Sequence, residues 1–197
     1  MAFNFYDHHD LRDQHAYLSA SKHSWVNYDD EHMRTVYFNE LMKKRGTEMH
    51  AYAEMANRLG IRQRGNKVTI DKFINDGLDY DMKAEVVLYY SRNCFGTADL
   101  IGYDKRKNLV RIFDLKNGKI PVTKFDQLHI YGALFCLEYK FDPMKLDFDF
   151  RLYQNDGILI DDEYTNEDIR HIMDKIIHFD EMIENMYVEA KSNRGIL

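Results

Sequence analysis

The chain predicts a mixed α/β fold, a central mixed sheet of four or five strands flanked by helices. Three observations lead there. Apolar residues recur at helical spacing through the first eighty positions. Three successive segments, AEVVLYY, FGTADLIGYD and NLVRIFDLK, then read as strands, and a helix, a further strand and a last helix follow.

The elements follow in order. Ser19 or Ser21 can cap a short helix carrying Trp25 and Tyr28. A longer helix is expected from about Glu31 to Lys44, with Met33, Val36, Tyr37, Leu41 and Met42 at helical spacing. Gly46 is expected to interrupt it, and Thr47 to cap a second helix, EMHAYAEMANRL, that ends at Gly60. A helix over Ile70–Met82 carries Gly77 as a weak point. An amphipathic helix spans about Lys124 to Tyr139, LDFDFRLYQ alternates as a strand, and Thr165 opens a long final helix. Residues 1–17 read as a loosely held opening segment, and 18–197 as one domain.

Between Phe95 and Lys119 the spacing defines a hairpin. With Lys105-Arg106-Lys107-Asn108 as its turn, paired residue numbers sum to 213 and Asp99 falls opposite Asp114. Side chains alternate along a strand, so Lys116 emerges on the face of Asp114, which also carries Val110 and Ile112. Opposed residues have Cβ atoms roughly 4.5–5.5 Å apart. Two carboxylates that close repel each other, and a divalent cation turns the repulsion into attraction.

Composition narrows the function classes. The 197 residues, 45% of them hydrophobic, suit one globular domain with a sizeable core. No stretch approaches the roughly 20 apolar residues that span a bilayer, and the polar, acidic opening MAFNFYDHHDLRDQH is neither a signal nor a transit peptide. Cytoplasm is the expected location, and no membrane partner is. Two cysteines, Cys94 and Cys136, cannot form a four-cysteine zinc or iron–sulfur site within one chain, and Cys136 reads as a buried free thiol. A net charge of −6 argues against a protein that coats nucleic acid by charge alone. Basic clusters exist at Lys43-Lys44-Arg45, at Arg58, Arg62, Arg64 and Lys67, and at the hairpin tip Lys105-Arg106-Lys107. By themselves they read as solvated surface charge.

Two helical elements flank the hairpin in sequence. Gln127 and Tyr131, four apart, share a helix face and can hydrogen-bond a phosphate or position a water. Upstream, Gly46-Thr47-Glu48-Met49-His50 places His50 near a helix start with Glu54 one turn later, and imidazole can complete a Mn²⁺ shell.

Taken in order, these residues resemble the PD-(D/E)XK nuclease superfamily, and most closely its RecB-like exonuclease branch, which includes phage-encoded and CRISPR-associated enzymes. Gly46-Thr47-Glu48-Met49-His50 is similar to that branch's G-T-x-x-H element. Gly96-Thr97-Ala98-Asp99 is similar to its G-x-x-D strand. Ile112-Phe113-Asp114-Leu115-Lys116-Asn117-Gly118-Lys119 is similar to its hydrophobic-D-x-K-x-G-K strand, and Asp126-Gln127-Leu128-His129-Ile130-Tyr131 to its Q-L-x-x-Y helix. Leu18-Ser19-Ala20-Ser21 and Trp25 resemble an opening found in phage-encoded members. Ala98 stands where Pro is common, and the cysteines of iron–sulfur relatives are absent.

The resemblance implies a restriction-endonuclease-like core and hydrolysis of DNA phosphodiesters by a Mg²⁺- or Mn²⁺-dependent exonuclease of phage or host recombination and repair, without an iron–sulfur cluster. It implies metal binding by His50, Asp99, Asp114 and the Leu115 backbone carbonyl, and catalysis by Asp99, Asp114 and Lys116. Gln127 and Tyr131 would hold the DNA backbone or a water beside the metal ligands, with Glu85 in support. The partners it suggests are DNA with a free end, a recombination or annealing protein, and further copies of the chain in a homo-oligomer. A phage-encoded member would work in the bacterial host cytoplasm. A non-catalytic DNA-binding or recombination-partner protein on a nuclease fold is the alternative, and an RNA- or tRNA-directed nuclease a third reading.

Overall fold

Alternating segments of the middle region assemble into one five-stranded sheet in a computed structural model that describes residues 18, 20–65, 69–118, 120–155 and 157–194. The strands are β1 (Lys83–Ser91), β2 (Cys94–Asp104), β3 (Leu109–Leu115), β4 (Asp147–Gln154) and β5 (Gly157–Ile160), and their spatial order is β1-β2-β3-β4-β5. Neighbours are antiparallel except β3 and β4, which are parallel. Helix α3 (Asp126–Tyr139) makes that crossover, as parallel neighbours require. The mixed sheet flanked by helices is therefore present. β5, four residues of GILI, carries too little alternation to be read beforehand.

The chain divides into two compact units, Met1–Arg45 and Gly46–Leu197. The expected loose segment 1–17 and Ser19 lie outside the described residues. In the first unit, a 3-10 helix over Ala20–Asn27 carries Trp25 and Tyr28. Helix α1 (Asp30–Arg58) then begins, with Asp29 Oδ1 accepting the His32 N–H at 2.7 Å as an N-cap.

The second unit contains the sheet, the C-terminal half of α1, α2 (Thr69–Asp79), α3 and α4 (Asn166–Arg194). One sheet face packs on α3 and α4, through Val110, Ile112, Phe148, Phe150, Leu128, Leu134 and Ile169. The other packs on α1 and α2, through Ala53, Ala56, Phe73, Ile74, Leu100, Phe113 and Tyr153. Both faces are covered, and β3, LVRIFDL, is nearly continuous in apolar residues, while β4, DFDFRLYQ, alternates over its first half. Among the described residues no helix is long and apolar enough to cross a membrane.

Two glycines lie within helices. Gly46 does not break α1, which runs unbroken where two helices were expected. It is buried, and a Cβ there would drive into the side-chain amide of Asn117. The missing side chain makes room for close approach, at a helix-propensity cost of about 1 kcal/mol. Gly77 lies inside a helix as expected, and its missing side chain admits close packing, since a Cβ would lie 2.8 Å from both Asn57 Nδ2 and Leu100 Cδ1. α1 does stop at Gly60, whose φ of +67° suits only the left-handed region. α2 ends at Asp79, three residues short of the expected Met82, with Asp81 at φ +50°.

Candidate metal centre

The β2–β3 ladder has the expected register. Asp104 pairs with Leu109 around the Lys105–Asn108 turn, and the pairs run through Ile101 with Ile112 to Leu100 with Phe113. Asp99 and Asp114 are next in line, yet they form no ladder pair. Asp99 Oδ2 instead accepts the Leu115 N–H at 2.9 Å, so a carboxylate replaces a backbone carbonyl where the strands part. The Lys116 N–H passes to Tyr153 O at 2.8 Å, continuing the parallel pairing with β4.

β1 bends at the same level. Ala84 pairs with Leu100 and Val86 with Ala98, while Glu85, opposite Asp99, is left out of the ladder at φ +51°. The faces exchange here. Ala84 packs in the α2-side core, whereas Val86 and Leu88 pack in the α3-side core. On β2, Leu100 belongs to the α2 side and Ala98 to the α3 side. A non-glycine residue with positive φ inside a strand is costly and persists only where its surroundings enforce it. Glu85 and Asp99 thus stand at a fold line in the sheet rather than on either face.

Into that line reaches α1. His50, Glu85 and Asp99 offer ligand atoms that all lie within 4.8 Å of one another. His50 Nδ1 is 3.3 Å from Asp99 Oδ2. Hydrogen bonding to Asp99 raises the His50 pKa above its ordinary value, against the opposing effect of burial. Burial, then the like charges of Asp99 and Glu54, push the Glu85 carboxyl up. Asp114 is also raised, first by burial and then by Asp99, with Lys116 pulling the other way.

Asp114 is 2% exposed. Its Oδ2 lies 2.8 Å from Lys116 Nζ, so the buried carboxylate is held in an ion pair. Lys116 Nζ donates to Gln127 Oε1 at 2.7 Å, Gln127 Nε2 to Tyr131 Oη at 3.0 Å, and Tyr131 Oη to the Thr97 carbonyl at 2.6 Å. This relay links β3 to α3 and back to β2. Tyr131 is seated on Gly96, where a Cβ would meet its ring at 2.9 Å.

Every residue expected at the site is gathered here, with roles redistributed. The group with converging ligand atoms contains His50 and Asp99 as expected, and Glu85, which had been given only a supporting place. Asp114 stands beside it, held by Lys116. Leu115 is engaged through its N–H. Tyr131 has its hydroxyl committed to Thr97, so it orients Gln127. Glu85 comes opposite Asp99 through a register shift between Tyr89 and Ser91, for which the residues carry no signal. The positive φ that aims it has no signal in the residues.

An imidazole and two carboxylates that repel one another, with their ligand atoms converging, suit a hard divalent cation. Comparison with family models, curated proteins and solved structures finds no match to this chain.

Proposed function

We propose that this chain is a Mg²⁺- or Mn²⁺-dependent deoxyribonuclease of the PD-(D/E)XK type, an exonuclease acting on DNA ends in phage or host recombination and repair. The observation that carries the reading is the convergence of His50, Glu85 and Asp99 within 4.8 Å, beside the Asp114–Lys116–Gln127 chain. A divalent cation bound there would polarise the scissile phosphate and lower the pKa of a bound water. His50, Glu85 and Asp99 are the residues that would hold it, with Asp114 adjacent. Oxygen donors suit Mg²⁺ and Mn²⁺, and the imidazole favours Mn²⁺.

The remaining residues position and stabilise. Lys116 keeps one of its three protons free of the Asp114 and Gln127 contacts, available to a water or a phosphate oxygen. With a phosphate at the centre, the Lys116 charge would offset the negative charge that develops as the P–O bond breaks. Gln127 fixes that ammonium, and Tyr131 fixes Gln127.

The test is cleavage of 5′- and 3′-labelled single- and double-stranded DNA, with Mg²⁺ and with Mn²⁺, against labelled RNA. Asp114→Ala is expected to abolish metal-dependent cleavage, and equal activity in both chains would sink the assignment. Lys116→Ala is expected to lower kcat by roughly 10²–10³. The commitment of the Asp114 carboxylate to Lys116 favours one rival, a non-catalytic DNA-binding protein on a nuclease fold. That rival predicts a gel shift that survives chelation, with no cleavage under any metal.

A further inference from the structure

The β2–β3 hairpin carries three consecutive cations at its tip, and the metal centre uses none of them. Lys105, Arg106 and Lys107 are exposed and make no ion pair among the described residues. The turn itself is held in one shape. Asp104 Oδ1 accepts the Arg106 N–H at 3.0 Å and the Lys107 N–H at 3.3 Å, and Asn108 closes the turn at φ +50°. The one acid at the tip is therefore spent on backbone, and three side-chain charges project from a fixed turn.

The same cations line an open cleft of about 510 Å³ with Arg111, Tyr80 and Tyr103. The Arg111 guanidinium lies 4.4 Å from the centre of the Tyr80 ring, and Arg111 Nε is 3.6 Å from Asp149. Asp79 and Asp81 also border the cleft, but Asp79 is bound by Arg62, and Asp81 is 3.8 Å from Lys83. The unpaired charge of the cleft is positive, in a chain whose net charge is −6.

We propose that Lys105, Arg106 and Lys107, with this cleft, anchor the phosphate backbone of the DNA whose end lies at the metal centre. The inference rests on the nuclease reading. Asp104 is five strand residues from Asp99, a separation of about 17 Å at the rise of an extended chain. A DNA strand in a duplex carries one phosphate per about 3.4 Å, so the backbone between the reacting bond and the anchor spans at least about five nucleotides. Three phosphate contacts at that remove add affinity and hold the substrate's direction. They read no sequence.

The experiment compares Asp114→Asn with the same chain also carrying Lys105→Ala, Arg106→Ala and Lys107→Ala. The probe is a fluorescent duplex of roughly 20 base pairs titrated between about 50 and 200 mM salt. The slope of log affinity against log salt is expected to fall in magnitude by about 2–3 when the three charges are removed, at roughly 0.9 per phosphate contact. Lys145→Ala, at another exposed cation, is expected to leave the slope alone. In the cleavage-competent chain the triple substitution should slow degradation of long DNA and leave fragments shorter than about five nucleotides unaffected. Normal cleavage with an unchanged slope overturns the anchor alone and leaves the cations to an acidic protein surface. A chain that neither binds nor cuts any DNA overturns both readings.

Discussion

Glu85 holds a backbone conformation that costs an ordinary residue roughly 1–2 kcal/mol. It also brings a carboxylate up to Asp99, in a site where burial already disfavours charge. Glu85→Gly removes the backbone strain and one repelling charge. It is expected to raise stability by about 1 kcal/mol, read from the urea midpoint, while metal-dependent cleavage is lost. A change that stabilises and disarms at once is the mark of strain held for function. The protonation of the site has a definite sign. Glu85 and Asp114 have raised folded pKa values, so their contribution to stability is complete below the unfolded carboxylate range and declines as pH rises through the folded values. His50 is raised too, so its stabilising contact is present below its unfolded value and is lost as pH climbs through the folded one. A bound cation needs these groups deprotonated. The gain in Tm on adding Mn²⁺ is therefore expected to be larger near pH 8 than near pH 5. Equal gains at both would contradict the assigned ligands. Burial pushes the Cys136 thiol up to about 12, so it should resist alkylation in the folded chain and react on unfolding.

Single contacts hold the elements in place at positions that can be tested. α3 lies so close to β4 that a Cβ at Gly132 would meet Phe148 Cε1 and Phe150 Cζ at 3.2 Å. Those rings are stacked on each other, 5.3 Å between centres, and have little room to yield. Gly132→Ala is expected to cost about 1–3 kcal/mol and to loosen its neighbour Tyr131 and, through it, Gln127 earlier on the same helix. Thermal unfolding reads the first effect and cleavage rate the second. α4 is capped as its residues suggest: Thr165 Oγ1 donates to Asp168 Oδ2 at 2.6 Å, and the Asp168 N–H returns to Thr165 Oγ1 at 3.2 Å. The Thr165 hydroxyl, and then its N–H, which donates to Asp168 Oδ2 at 2.8 Å, lower the Asp168 pKa, so this cap supports the helix above the unfolded carboxylate pKa and weakens as pH falls.

Helix and strand positions were readable because their apolar periods differ, and the hairpin was readable to the residue because a four-residue turn sets the pairing sum. Gly46 misled for a physical reason. Glycine signals a helix end only when nothing else needs its missing side chain, and here Asn117, seventy-one positions later, occupies that space. The place of Glu85 at the centre is hidden in the residues, because its aim comes from a positive φ rather than from residue type. β5 was too short to show a period.

For the whole molecule, the proposed activity requires an acidic chain to hold DNA through metal and a few placed cations. Chelation with EDTA is therefore expected to remove most DNA affinity at physiological salt, where a basic protein would retain it. A mobility shift unaffected by EDTA would point to the non-catalytic reading.

By itself the sequence determined the mixed fold class, the β2–β3 register, and the types of residue at the centre, because periodicity and turn length are local properties. Only the tertiary structure decided which of those residues converge. The bend shared by Glu85 and Asp99 draws His50 and both carboxylates together, while the buried Asp114 is neutralised by Lys116. That arrangement depends on where α1 and α3 pack against a folded sheet, and packing of distant segments leaves no period in the chain.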